Sequence, residues 1–264
     1  MAREGNVAGA LKVCVAVLCL MMAPRALLAN PSGESVVKGS ASFERHENTL
    51  TVNQASEKAV INWQDFSIQK GELTRFVQPG STAAALNRVM SGNPSAIYGT
   101  LLANGRVYLI NPNGIIVGPE GQINAHSFIG STLDVADADF MDGGDLQFIG
   151  DGTGKVENLG KIEAMGGSVF LIAATVENQG SVQAPEGTAG LAAGSSVLLT
   201  DGQSERLYVS PAGTGSTAQD SGVVNSGKVE AARSELQAAG GNMYALAINN
   251  EGVIRATEGV KENG

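Results

Sequence analysis

The chain has 264 residues, 43% of them apolar, which is enough for one sizeable domain or two small ones with a real core. Glycine is abundant, at 35 residues, while aromatics make up only 5%, a balance that favours many tight turns and small side chains over a bulky centre. The net charge of -9 favours solubility and argues against nucleic acid and anionic membrane surfaces as partners.

Residues 1–29 read as a secretory signal. Arg3 and Lys12 supply a positive start, Val13 to Met22 an apolar run too short for a membrane span, and Ala29 a small residue for cleavage before Asn30. A retained membrane anchor is the alternative. This segment holds three basic groups (Arg3, Lys12, Arg25) and one acid (Glu4), a surplus of two, so residues 30–264 carry -11. Both cysteines, Cys14 and Cys19, fall inside the signal. The exported chain therefore has no disulfide, no Cys-based metal site and no thiol nucleophile, and it can stay unfolded in an oxidising compartment without being covalently trapped.

Asn30 to Gly39 is a polar lead-in, and from Ser42 to Ile68 the pattern alternates as strands do, through Leu50, Val52, Ala59-Val60-Ile61, Trp63, Phe66 and Ile68. Trp63, the only tryptophan, reads as a core plug for one end of a β structure. Ser81 to Met90 has helix-forming alanines, but Ser91-Gly-Asn-Pro94 ends the segment at once, and a strand or extended turn is expected. Leu101 to Leu133 then joins strand-like Val107-Tyr-Leu-Ile110 and Ile115-Ile-Val117 through the turn Asn111-Pro112-Asn113-Gly114.

From Gly121 onward one pattern recurs: Gly, any residue, Ile or Val, any residue, Ala. Its five copies begin at Gly121, Gly160, Gly180, Gly227 and Gly252, and the last four follow Asn158, Asn178, Asn225 and Asn250 by two residues. Those four glycines lie 20, 47 and 25 residues apart, and 47 is close to two units, so the pattern is a structural repeat with the period of one coil. Each unit is a short half-buried strand with inward Ile/Val and Ala, and the glycine is expected to supply a positive φ at the corner. One unit cannot bury its apolar face alone; stacked coils can. The asparagines either form a side-chain amide ladder or each tolerate a left-handed turn. About ten coils and a rod of roughly 50 Å are expected at the usual strand spacing. Asp134 to Asp151, with six aspartates, and Leu207 to Gln219 interrupt the repeat and are expected as loops or hairpins on the solenoid surface.

Little in the chain suggests chemistry. A polysaccharide lyase or hydrolase would need converging acids, for which Asp134 to Asp151 is the candidate, yet its irregular spacing fits a solvated acidic loop. Gly143-Gly-Asp145 resembles a calcium-binding turn without the repeating nonapeptide, and His46 and His126 stand alone. No catalytic residue, metal or cofactor is expected. A stand-alone structural surface protein is a further alternative.

Several motifs in order carry a family resemblance: Ile61-Asn-Trp63-Gln-Asp-Phe66-Ser-Ile68, Phe76-Val-Gln78-Pro79-Gly80, Ala85-Leu86-Asn87-Arg88-Val89, Leu101 through Gly114, and Ser131-Thr-Leu133. Together they resemble the filamentous haemagglutinin N-terminal domain, the secretion domain of two-partner secretion exoproteins, over most of residues 40 to 264. The upstream Asn-Pro-Asn-Leu of one branch is absent, and the single Asn-Pro-Asn-Gly is similar to the high-molecular-weight adhesin branch. The resemblance implies an all-β fold, a right-handed parallel β-helix, and a domain spanning residues 30–264. It also implies export through the periplasm, recognition by a partner outer-membrane transporter, and folding at the cell surface in service of an adhesin or haemagglutinin. A host-cell or surface ligand is a further candidate partner. Ile110, Asn111, Pro112, Asn113, Gly114 and Ile115 are either the transporter-recognition element or a tight turn between buried strands.

Overall fold

Strands that alternate inward aliphatics with outward polar residues have one apolar face each, and stacking them in parallel is the economical way to cover it. The computed structural model describes residues 30–151, 153–201, 205–210, 222–239 and 248–257. Within them the chain winds as a parallel β-helix with three faces. The expected signal, with both cysteines, lies outside the described residues.

The first face runs through Thr49–Gln54, Leu73–Val77, Thr100–Ala103, Gln122–Ala125, Lys161–Ala164, the start of Ser181–Ala193, the start of Lys228–Ala238, and Val253–Ala256. The second runs through Lys58–Trp63, Ala84–Val89, Arg106–Ile110, Ser127–Ser131, Val169–Ala173 and the far halves of the two long strands. The third holds Ser95–Ile97, Ile115–Val117, Lys155–Asn158, Thr175–Asn178, Gly222–Asn225 and Ile248–Asn250.

The repeat sets the register. Ile123 pairs with Ile162, Ile162 with Val182, Val182 with Val229, and Val229 with Ile254. All but the last of these are buried in one continuous interior core. Among the described residues the first face has eight rungs, spanning about 34 Å at ~4.8 Å per step. The described residues hold fewer than the expected ten coils, because the two insertions take up chain without adding rungs.

The N-terminal end is closed. Ser35–Lys38 runs antiparallel to Lys58–Trp63, and Ala41–His46 antiparallel to Thr49–Gln54, so both edges of the first rung are paired. Phe43 sits edge-on to Trp63 at 5.5 Å between ring centres, and Trp63 edge-on to Phe66 at 5.4 Å, an aromatic stopper over the core. Ser81 to Met90 contains the strand Ala84–Val89, where the neighbouring rungs override helix propensity.

The first insertion is more than a surface loop, and the second opens on the outer strand of an antiparallel hairpin. Asp134 to Asp151 contains a short helix, Asp137–Asp142, and a strand, Leu146–Ile149. That strand pairs antiparallel with Ser196–Thr200, which pairs with Arg206–Val209, giving a three-stranded sheet outside the helix. Helix and sheet form a lobe over the second face. They bury Val135, Phe140, Leu146, Phe148, Val197, Leu199 and Leu207 against outward Val60, Leu86, Tyr108, Ile129, Phe170 and Ile172. The second face is thus apolar on both sides, which accounts for its unbroken runs Val107-Tyr-Leu-Ile110 and Val169-Phe-Leu-Ile-Ala173. Residues 211–219 of the second insertion lie outside the described residues.

Candidate functional site

The turn Asn111 to Gly114 is the corner where the second face becomes the third. Asn111 is fully buried; its Nδ2 donates to Asn93 O and Ser95 Oγ, both at 3.0 Å, and its Oδ1 accepts from the backbone N of Asn113 at 3.0 Å. The backbone N of Gly114 donates to Asn111 O at 3.0 Å and closes the turn. Gly114 has φ +117, a conformation a side chain strains, and a Cβ there would lie 3.1 Å from Lys155 O of the next rung. From that same side Gly154 presses on the turn so closely that its own Cβ would sit 2.5 Å from Pro112 O.

The six residues from Ile110 to Ile115 therefore divide. Ile110 is buried under the lobe and Ile115 in the interior core, and Asn111 and Gly114 are buried in the corner itself. Pro112 and Asn113 are exposed. The Asn113 side chain donates to Ser91 O at 2.8 Å and to Asn111 Oδ1 at 3.2 Å.

A second construction holds the corner between the third and first faces. Asn158, Asn178, Asn225 and Asn250 stack in register. Asn158 Nδ2 donates to Asn178 Oδ1 (2.8 Å), Asn178 Nδ2 to Asn225 Oδ1 (2.7 Å), and Asn225 Nδ2 to Asn250 Oδ1 (2.6 Å). The two inner amides, Asn178 and Asn225, thus each accept from one rung and donate to the next, and none of the four residues has a positive φ. The left-handed alternative does not apply to them.

The repeat glycines do not have positive φ either, contrary to expectation. They are needed for closeness. A Cβ on Gly121, Gly160, Gly180, Gly227 or Gly252 would collide with a carbonyl oxygen of the rung before it: Ile97 O, Gly118 O, Gly160 O, Gly180 O and Gly227 O respectively. The N–H groups of Gly180, Gly227 and Gly252 donate to the carbonyls of Asn158, Asn178 and Asn225. The glycines and asparagines are thus two parts of one corner.

The corner between the first and second faces uses other residues, which sequence reasoning missed. Gln78 Nε2 donates to Gln54 Oε1 at 3.1 Å, and Gln78 Oε1 accepts from the backbone N of Gly105 at 3.0 Å. Further along, Ser127 Oγ accepts from Ser168 N and Ser168 Oγ from Thr188 N. The 24-residue spacing of Gln54 and Gln78, one coil, was a usable signal. The hydroxyl series had none, because serine and threonine occur everywhere in the chain.

Three acids of the first insertion, Asp134, Asp137 and Asp145, hold the lobe together. Asp134 and Asp137 both pair with Arg88, at 2.9 and 2.8 Å, and Arg88 also donates to Val135 O. Burial pulls the guanidinium pKa down, but hydrogen bonds and charge from the two carboxylates outweigh it, and the net shift is upward. Lys58 Nζ donates to Phe140 O and Met141 O at the end of the short helix, and Gly143 caps that helix at φ +81. Asp145 Oδ1 accepts from the backbone N of Asp201. The Gly143-Gly-Asp145 turn thus ends a helix and ties two strands of the lobe, and among the described residues no three His, Cys, Asp or Glu side chains converge for a metal.

Comparison with known proteins adds identity to this geometry. Two Haemophilus influenzae proteins described as heme/hemopexin-binding protein are each 40% identical to this chain, over 105 residues in strain Rd and 106 in the other. Each match covers 40% of this chain, but only 12% and 11% of the relative, so the shared part is a small portion of a much longer protein. The crystal structure of the HMW1 secretion domain from Haemophilus influenzae superposes with a TM-score of 0.67 at 30% identity, covering 79% of this chain and 57% of that one. The filamentous hemagglutinin secretion domain gives 0.48 at 15% identity, covering 83% and 99%. A family model, the TPS secretion domain, matches residues 28–264. With that match laid over a parallel β-helix, the chain belongs to the TPS secretion domain family and is the secretion domain of a two-partner secretion exoprotein.

Proposed function

We propose that the chain leaves the inner membrane on the signal of residues 1–29 and that residues 30–264 remain unfolded in the periplasm. The soluble domains of a partner outer-membrane transporter recognise them there, and the β-helix forms at the cell surface. The domain acts by binding and folding, without catalysis, and it starts the folding of an adhesin or haemagglutinin. The name of the Haemophilus influenzae relatives supports a host ligand for the exported product as a whole.

The observation that carries the recognition step is the burial of Asn111. Its amide has one set of partners in the folded corner, Asn93 and Ser95. The unfolded chain offers the same amide, together with Pro112 and Asn113, to a transporter. Recognition and folding then compete for one side chain, and folding outside the cell releases the segment. Binding of the transporter's periplasmic domains to unfolded and to refolded chain tests this. Tight binding to the unfolded chain that disappears on refolding is expected; equal binding to both overturns it.

A further inference from the structure

Among the described residues, the lobe sheet ends on a strand whose outer edge has no strand beside it. Arg206–Val209 pairs with Ser196–Thr200 on one side only. On the other side its backbone groups point over the last two long rungs of the second face, and there they meet side chains. Thr188 Oγ1 donates to Glu205 O at 3.2 Å. The backbone N of Leu207 donates to Glu235 Oε2 at 3.2 Å, and that of Val209 to Gln237 Oε1 at 3.2 Å. Gln237 Nε2 donates to Leu207 O at 2.6 Å. The groups served belong to residues 205, 207 and 209, the period of two along which a strand presents one edge.

The columns beneath give this arrangement its meaning. Going up the outer side of the second face, one register column reads Val60, Leu86, Tyr108, Ile129, Phe170, Gly190, Glu235. Its neighbour reads Asn62, Arg88, Ile110, Ser131, Ile172, Ala192, Gln237. The first is apolar or small wherever the lobe covers it; the second carries Arg88, which binds Asp134, Asp137 and Val135 O of the lobe, and is apolar or small from Ile110 to Ala192. At Gly190 the side chain vanishes, and a Cβ there would meet Leu207 Cδ1 and Phe170 Cδ1, each at 2.6 Å. One rung later both columns switch to side chains that end in carboxylate or amide oxygens. The switch falls at the edge of the lobe, where a further strand would dock.

We propose that Glu235 and Gln237, helped by Thr188, form a side-chain imitation of a β-strand that closes the free edge of the lobe. The occupant they exclude is a strand from a second copy of this chain, for which an open, partly apolar edge is a ready template. Edge closure is supplied by a rung that follows the lobe in sequence. The lobe is therefore sealed only when Lys228–Ala238 has been laid down, and an incompletely wound chain exposes a sticky edge until then.

Hydrogen exchange and sedimentation velocity on the refolded chain test the proposal. In the double variant Glu235→Ala/Gln237→Ala the amides of Leu207 and Val209 should exchange at least about ten-fold faster, while those of Leu191 and Ala193 keep their protection. The variant should also self-associate at concentrations where the parent is monomeric. Glu235→Gln keeps an acceptor and loses the charge pair with Arg206, so it should retain protection at Leu207. Unchanged exchange in the double variant overturns the proposal, as does Glu235→Gln behaving like Glu235→Ala, which would reduce Glu235 to an ion-pair partner. Lost protection in a variant that stays monomeric overturns the edge-closing role.

Discussion

Asn158 and Asn178 stand directly above one another in the third face, and the amide of the first donates to the amide oxygen of the second at 2.8 Å. Both are completely buried. Each link in such a ladder satisfies a donor and an acceptor that have no water to turn to, and a break strands both neighbours.

Asn178→Ala removes the middle of the ladder. It leaves Asn158 Nδ2 with only its longer bond to Ser181 O, at 3.3 Å, and Asn225 Oδ1 without its amide donor, so a loss of about 1–3 kcal/mol in urea unfolding is expected. Asn250→Ala, at the exposed end of the ladder, should cost clearly less, because it strands only Asn225 Nδ2. Equal losses at the two positions would show that the ladder does not act as a linked series.

Substitution of the corner glycines should separate closeness from backbone freedom. Gly180→Ala forces a Cβ against Gly160 O and should push two rungs apart, with a loss of at least ~2 kcal/mol. Gly80→Ala, where nothing lies within 4 Å and φ is not positive, should be neutral or stabilising by about 0.4–1 kcal/mol through the unfolded chain. Thermal unfolding of the two variants side by side checks both signs.

The Asn111 to Gly114 turn is predicted to separate into two classes of variant. Asn111→Ala should lower the stability of the refolded domain by roughly 1–3 kcal/mol, since Ser95, Asn93 and Asn113 lose buried partners. Pro112→Ala should change stability by less than about 0.5 kcal/mol, its side chain being at the surface. Asn113→Ala should cost little more, and reduced secretion of that variant with stability intact would assign the residue to recognition. If its stability and secretion fall together, the turn only bends the chain.

Alkaline pH should loosen the lobe through Tyr108. Burial pushes its hydroxyl from the ordinary 10.0 up to about 12, as the ring lies between the second face and Phe140, 5.2 Å away centre to centre. The folded state therefore holds this proton more tightly than the unfolded chain. The associated stability is fully present below pH 10 and is lost as pH rises toward 12, a difference of roughly 2–3 kcal/mol. Tyr108→Phe should remove that part of the pH dependence, which unfolding curves taken across this range would detect.

The interior was legible because its signal is local. Gly, Ile/Val and Ala recur at fixed offsets, and the same offsets reappear as register partners Ile162 with Val182 and Val182 with Val229. The asparagine ladder was legible only as one of two alternatives, since an amide stacked on its neighbour and an amide in a left-handed turn use the same residue. The glycines serve close approach and not a positive φ. A glycine required by a carbonyl of the preceding rung looks, in one dimension, like a glycine required by φ. The lobe is legible only as two breaks in the repeat, and its packing is not, because Leu146 finds Leu199 and Phe148 finds Val197 across more than two coils of intervening chain. Nothing near Asp134 announces that the apolar residues among its aspartates have a second-face surface to cover. The same blindness applied to that surface: Val107-Tyr-Leu-Ile110 reads as a buried strand without saying that its two sides are buried by different partners.

The closed N-terminal end gives the rod an arrow. Ser35–Lys38 and Ala41–His46 already occupy the flank of the first rung, so every later rung has one place to go, on top of its predecessor. Chain order thereby becomes time order for a polypeptide that emerges with this end leading: the stopper of Phe43 and Trp63 is set first, and each coil that follows finds a finished floor. A change in the first two strands would then be felt as a delay before assembly starts, whereas an equal loss near Val253–Ala256 would leave the start untouched and only shorten what is built.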